Sequence, residues 1–366
     1  MTRKPEGELR RGWTTGACAT AAARAAYQAL LTGSFPDPVT IRLPRGQEPQ
    51  FALALKELGA DRATAGVIKD AGDDPDVTHG ALIAATVRRA AAGSGVLFRA
   101  GDGVGTVTRA GLPLAVGEPA INPVPRRMMA EAMADLARAH NTAADVEITV
   151  SIPGGVELAK KTANGRLGIL GGLSVLGTTG IVIPYSCASW IHSIHRGIDV
   201  ARANGVTHIA AATGRTSEAA VQTIYGMPDM ALIDMGDFAG GLLKYLRDHP
   251  LPRLTIAGGF AKLVKMAQGA LDLHSARSSV DMAALTGLLE QVGAEGDDMV
   301  NALNAASAAA VLDIARRQNL PLGDAVARQA RAVALATLAG GTAVETILFD
   351  RAGKIVGHAP FDDAHR

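Results

Sequence analysis

Four aspartates, a lysine and a histidine fall within twelve residues at Lys69-Asp70-Ala71-Gly72-Asp73-Asp74-Pro75-Asp76-Val77-Thr78-His79-Gly80. Asp73, Asp74 and Asp76 are placed to take a proton or hold a hydroxyl, and His79 is of the type that serves as a general acid or base. The same composition also suits a solvated turn whose carboxylates cap backbone amides. The spacing lacks the distal Glu of an EF-hand loop. A second stretch, residues 168–180, carries Gly171, Gly172, Ser174, Gly177, Thr178 and Thr179. Free amides and hydroxyls there can cradle an anionic ligand, or the glycines can make tight turns between packed strands. Neither a Gly-x-Gly-x-x-Gly fingerprint nor a Walker lysine is present. Arg109 follows a further glycine loop, and Arg126-Arg127 open a helix after four prolines in the 113–125 stretch. Arginine grips carboxylates bidentately. An Arg pair on a first helical turn opposes the macrodipole at a cost of about 0.3 kcal/mol, which favours an anionic partner over mere exposure. Lys262 and Lys265 share a helix face after Gly258-Gly259, either as a solvated face or as an anion site beyond a strand end. Asp272-Leu273-His274-Ser275 follows. Cys18 and Cys187 read as small buried apolar residues, and His192 and His195 lack a third metal ligand.

These side chains need a frame. With 42 Gly, 48% hydrophobic and 4% aromatic residues, the core must come from small aliphatic side chains on closely packed elements. Thr14 before an alanine run closed by Gly33 predicts a capped helix. Alternating runs predict strands at 39–43, 51–58, 82–87, 96–99 and 146–152, with a helix over 126–141. Strands at 181–184, 207–212, 230–235 and 253–257 alternate with helices, which argues for a parallel, doubly wound sheet. A helical tail covers 282–338, and a hairpin turns at 350–353. Three regions are expected: an α+β two-layer domain at 1–145, a Rossmann-like α/β domain at 146–280, and a helical extension with a terminal β-hairpin at 281–366, packing on either domain. The loops 168–180, 213–215, 234–237 and 258–262 are then expected to converge on one sheet edge.

The formal charge of +1 gives no general pull towards nucleic acid. Two cysteines exclude a disulfide framework. No apolar run is long enough to span a membrane, and the polar first residues do not form a signal peptide, so a cytoplasmic protein is expected.

Taken in order, Arg11-Gly12-Trp13-Thr14-Thr15-Gly16-Ala17-Cys18, the Lys69 to Gly80 motif, Gly101-Asp102-Gly103-Val104-Gly105, Gly117-Glu118-Pro119-Ala120-Ile121-Asn122-Pro123-Val124-Pro125-Arg126, the 171–180 run and the stretch from Lys262 to Ser275 resemble one family over nearly the whole chain. It is that of the cobalt-precorrin-5B C1-methyltransferases of anaerobic cobalamin biosynthesis. The resemblance implies methyl transfer from S-adenosylmethionine to C1 of a cobalt-bearing corrin precursor, with the cobalt carried by the substrate and no metal site on the protein. It also implies a two-layer α+β domain beside a Rossmann-like one. For a flat macrocycle ringed by carboxylates, Lys69, Arg109, Arg126, Arg127, Lys262, Lys265 and His274 are the expected contacts. Gly171, Gly172, Ser174, Gly177, Thr178, Thr179, Gly258 and Gly259 are expected around the donor, with Asp234 on its ribose. Asp73, Asp74, Asp76 or His79 is expected to manage a ring proton. A homo-oligomer and transient contact with neighbouring pathway enzymes are expected as partnerships. Two other readings stay open: a nucleotide-dependent oxidoreductase, weakened by the missing dinucleotide fingerprint, and a non-catalytic tetrapyrrole-binding protein.

Overall fold

The alanine run after Thr14 forms helix α1, Thr15–Thr32. The Thr14 hydroxyl accepts the Ala17 amide at 3.2 Å, and Gly33 ends the helix in the left-handed region at φ 79°. Alanine favours the helix and leaves no bulk, so α1 lies close on its neighbours. Ala17, Ala19, Ala21 and Ala22 are completely buried, as is Cys18, whose thiol is pushed up to about 12 by burial. The computed structural model describes residues 7–362, and the chain divides into two compact units between Ser186 and Cys187.

In the first unit, α1 packs on a five-stranded sheet of β1 (Leu55–Leu58), β2 (Arg62–Ile68), β3 (Leu82–Arg89), β4 (Val96–Ala100) and β5 (Val146–Ser151). Helix α2, Pro123–Ala139, lies beside α1 and starts on prolines, whose missing amides cost nothing in a first turn. The strand order is β1-β2-β3-β5-β4, antiparallel except for the β4–β5 pair. Strand alternation sends Ala63, Ala65, Val67, Ile83, Ala85, Val87, Ile148 and Val150 into the helix-covered core. On the other face Thr64, Thr86 and Thr149 stand in register, with the Thr64 and Thr86 hydroxyls 2.8 Å apart. Two layers, helices on one side and sheet on the other, match the α+β expectation for the N-terminal region.

The expected break after residue 145 is not where the chain divides. β5 is an inner strand, inserted between β3 and β4, so the first unit cannot end before it. The run at 181–184 was expected to start the parallel sheet; instead Ile181–Val182 pairs antiparallel with Gly12–Trp13. The stretch 51–58 also splits. Gln50–Phe51 pairs with Val39–Thr40, while β1 joins the main sheet.

The second unit opens with α3 (Cys187–Ala203) and then alternates: β6 (His208–Ala212), α4 (Arg215–Tyr225), β7 (Leu232–Asp234), α5 (Ala239–Asp248), β8 (Arg253–Gly259) and α6 (Phe260–Ala267). Four further helices follow: α7 (Met282–Gln291), α8 (Asp297–Leu303), α9 (Ala308–Arg317) and α10 (Leu322–Leu338). The chain then makes β9 (Ala343–Phe349) and β10 (Ile355–Ala359). The sheet order is β7-β6-β8-β9-β10, parallel except for the last strand. The terminal hairpin is therefore built into the sheet, with β9 an inner strand. The two faces are unequally covered. Ile209, Ala211, Leu254 and Ile256 meet α3, α5, α6 and the tail helices, whereas Ala210, Ala212, Ala257, Ile347 and Phe349 form a smaller core with Val221 of α4. On that thinner side the buried Glu345 carboxylate accepts the Tyr225 hydroxyl at 2.5 Å and the Thr255 hydroxyl at 2.7 Å, and lies 2.8 Å from Nε2 of His358 on β10. No helix of the described residues is long and apolar enough to cross a membrane.

Candidate functional site

The Asp-rich loop leaves β2 and is gripped by the chain entering α1. The Trp13 amide donates to the Asp70 carbonyl at 2.7 Å, and the Asp73 amide donates to the Arg10 carbonyl at 3.0 Å. The fit admits no side chain at residue 12, since a Cβ there would lie 2.0 Å from the Ala71 carbonyl carbon. Arg10 binds both oxygens of Asp70, at 2.5 and 2.9 Å, and holds that carboxyl down at about 2, helped by the Gly72 amide. Asp73 is exposed and accepts the Arg10 amide at 2.6 Å. His79 is also exposed, and its Nδ1 accepts the Ala71 amide at 3.1 Å.

Lys69, expected to meet substrate, is 2% exposed and pairs with Asp76 and the Thr78 hydroxyl. Burial alone would raise the Asp76 pKa, but the Lys69 charge and hydrogen bonds from Lys69 and Thr78 carry it below its ordinary value. Asp74 differs from its neighbours. It is half-buried, and its Oδ1 accepts the Tyr185 amide at 2.8 Å. Burial lifts its pKa, opposed by the Tyr185 amide, raised further by Asp76 and lowered by Lys69. Tyr185 itself sits at φ 55°, a left-handed conformation that costs a non-glycine residue about 1 kcal/mol. Strain beside a carboxylate of raised pKa is the pattern of a working group. Next to this loop, Trp13, Phe51, Leu53, Val67, Ile68 and Asp70 line a concavity of 280 Å³.

Gly16 is the meeting point of three of the expected stretches. Its amide donates to the Leu176 carbonyl at 2.8 Å, and a Cβ there would lie 2.6 Å from Pro125. The first turns of α1 and α2, the 171–180 run and the Asp-rich loop thus occupy one region of the first unit. The run itself is knitted into the chain. Leu173 and Val175 bridge to Val104 and Ile121, and the Leu173 amide donates to the Gly103 carbonyl at 2.8 Å. A Cβ on Gly172 would fall 2.2 Å from the Gly103 oxygen, and one on Gly177 would strike Thr14. The Ser174 hydroxyl donates to Asn164 and that of Thr179 to the Ile181 carbonyl; Thr178 is exposed. The run does not lie at the end of the parallel sheet, contrary to expectation. Gly168–Gly180 belongs to the first unit because its partners are residues 103–122.

The basic residues are largely engaged. Arg126 donates to the Ile121 and Pro119 carbonyls, pairs with Glu118 at 2.8 Å and stacks over Phe98. Arg109 donates to the carbonyls of residues 165 and 166. Arg127 stays exposed, 3.9 Å from Glu131.

In the second unit the ends of β6, β7 and β8 lie side by side. Asp234 closes β7 opposite Ala212 and is exposed. Lys262 donates to the Thr213 carbonyl at 2.9 Å and stands 3.0 Å from Oδ1 of buried Asp237. It ties the loops after β6 and β7 to the helix after β8. Lys265 is buried and donates to the Leu273 carbonyl at 3.0 Å; His274 is exposed, with Nδ1 accepting the Ala276 amide. Gly258 packs against Thr213, whereas Gly259 faces open space. Arg10 and Tyr185 escaped sequence reasoning because each is more than 50 residues from its partner. Asp237 carried a usable signal, three residues beyond an acid ending a strand.

Family models match the chain at residues 2–184 (CbiD) and 272–360 (CbiD, C-terminal domain). A cobalt-precorrin-5B C(1)-methyltransferase of Paramagnetospirillum magneticum is 60% identical over 97% of this chain and 99% of its own. That of Bradyrhizobium is 61% identical over 95% and 93%. The chain belongs to the CbiD family. A crystal structure of a cobalamin biosynthesis protein (cbiD) from Archaeoglobus fulgidus is 30% identical, covering 74% of this chain and 84% of that one, with a TM-score of 0.41. The CbiD match ends at residue 184, beside the division of the chain at Ser186, so the family's first segment and the first unit nearly coincide.

Proposed function

We propose that this chain is an S-adenosylmethionine-dependent methyltransferase that methylates C1 of cobalt-precorrin-5B to give cobalt-precorrin-6A. The observation that carries the reading is identity near 60% with proteins of that name over almost the whole length of both chains. The donor would supply a methyl group on a sulfonium, which leaves as a neutral thioether. The protein's share is positioning, exclusion of water and management of a ring proton. Asp74 is the residue best suited to the proton. It is half-buried, oriented by the Tyr185 amide and raised in pKa by burial, which makes its carboxylate a stronger base than its neighbours. Asp76 and Lys69 would keep the loop in place, and Asp73 and His79 border it. Arg127 has the exposed guanidinium suited to a substrate carboxylate; Arg109, Arg126, Lys262 and Lys265 would act by holding loops, with His274 at the rim of the second unit. The second unit would serve as the Rossmann-like half, and a cytoplasmic location follows from the pathway.

The test is direct. Purified protein is incubated with S-adenosylmethionine and cobalt-precorrin-5B, and the product is weighed by mass spectrometry. A gain of one methyl at C1 is expected. An unchanged macrocycle mass would overturn the reading.

A further inference from the structure

The chain leaves β6 to build β7 on one side and returns to build β8 on the other, which makes a switch point between β6 and β8. Ligands of such sheets settle there, beyond the carboxyl ends of the strands. Two glycines mark the spot. Gly214 follows β6 with φ 166° and ψ 172°, and Gly259 closes β8 with φ −65° and ψ 143°. Any residue adopts these conformations, and a Cβ at either would meet nothing within 4 Å. Neither the backbone nor the packing calls for glycine, so what the two positions preserve is room against the main chain.

Acids surround that room. Asp234 is exposed at the end of β7, and its place 20 residues beyond Gly214 is where sheets of this kind put the acid that holds a ribose diol. Asp237 is 7% exposed, and its Oδ1 has no hydrogen-bond donor. Lys262 lies 3.0 Å from that oxygen, an ion contact outside hydrogen-bonding geometry, while its ammonium donates to Thr213. A buried acceptor without a donor is costly, and a ligand hydroxyl or ammonium would satisfy it. Helix α4 begins at Gly214 with no side-chain cap, so its first amides are available to a carboxylate.

We propose that the ends of β6, β7 and β8 hold the adenosyl half of the sulfonium donor, with Asp234 on the ribose hydroxyls and Oδ1 of Asp237 on a second donor group. Gly214 and Gly259 give the ligand access to the backbone. The 171–180 run, where a Cβ on Gly172, Gly177 or Gly180 would strike the chain itself and Gly171 is called for by its positive φ, takes no part. The assignment rests on the methyltransferase reading and narrows it to one place.

Calorimetric titration of the full-length chain with S-adenosylhomocysteine tests it. Binding to the wild-type chain is expected, with Asp234→Ala and Gly259→Val each weakening it about tenfold or more. Thermal unfolding of both variants should stay close to wild type, because neither side chain replaces a packed one. Wild-type affinity in both variants, or loss of affinity in Thr178→Val instead, overturns the assignment and leaves the methyltransferase reading standing. A wild-type chain that takes up no S-adenosylhomocysteine, with or without macrocycle, removes that reading and the assignment together.

Discussion

Glycine serves opposite ends in two regions, the packing around the start of α1 in the first unit and the strand ends of β6 and β8 in the second. In the first, Gly12, Gly172 and Gly177 are small because another part of the chain already fills the space a side chain would need. In the second, Gly214 and Gly259 border space that nothing fills. The charged residues divide similarly. Lys69, Asp76 and Arg126 spend their hydrogen bonds inside the first unit, while Asp237 keeps an oxygen without a donor. A glycine-rich stretch is therefore not a ligand site by composition. What decides is whether the missing Cβ would meet protein or emptiness.

The comparison breaks first at Asp76. If this carboxylate is internal glue, Asp76→Ala strands the Lys69 ammonium in the interior and costs about 3 to 5 kcal/mol, read from urea unfolding. A variant as stable as wild type and short only of turnover would return Asp76 to the chemistry. Asp74 is the exception within the same loop. Asp74→Asn should lower kcat about 100-fold or more with little change in unfolding. Its raised pKa should also put the acid limb of the wild-type kcat profile above the usual carboxylate value of about 4, because activity needs the deprotonated form.

Next come the glycines. Gly172→Ala, whose Cβ would press on the Gly103 carbonyl oxygen, should destabilise by about 1 to 3 kcal/mol. Gly259→Ala should cost no more than about 1 kcal/mol, the difference between glycine and alanine at a helix cap. Equal losses would erase the distinction between the two regions.

The smallest effect belongs to Asp70. Its folded pKa of about 2 lies below the unfolded value, so the Arg10 pair contributes stability above about pH 4 that is lost as the pH falls through about 2. Both side chains face solvent, and screening keeps the contribution small. The gap between wild type and Arg10→Met in urea midpoint should close over that range; a gap that persists at the acid end would mean the arginine works through packing.

Much of this frame was legible in the chain itself. Thr14 and Gly33 announced α1 through cap chemistry, and alternation placed β6, β8 and the terminal hairpin within a few residues. These features are local. What escaped was pairing at a distance. The run 96–99 looks like the hairpin partner of 82–87, yet β5, more than 40 residues on, slides between them. Residues 181–182 have strand composition, but only the partner at 12–13 decides which unit owns them. The Asp-rich loop was visible as a cluster, whereas the division of labour within it depends on Arg10, Lys69 and the amide of Tyr185, which spacing does not reveal.

The place of β9 has a consequence for synthesis on the ribosome. Every strand of the first sheet has been translated by residue 151, so that sheet can close while the rest of the chain is still being made. The second sheet cannot. One of its inner strands, β9, begins at residue 343, and the histidine that meets Glu345 arrives later still, at 358. Until then β8 has a bare edge, and the nascent second half is the part of the molecule most in need of a chaperone.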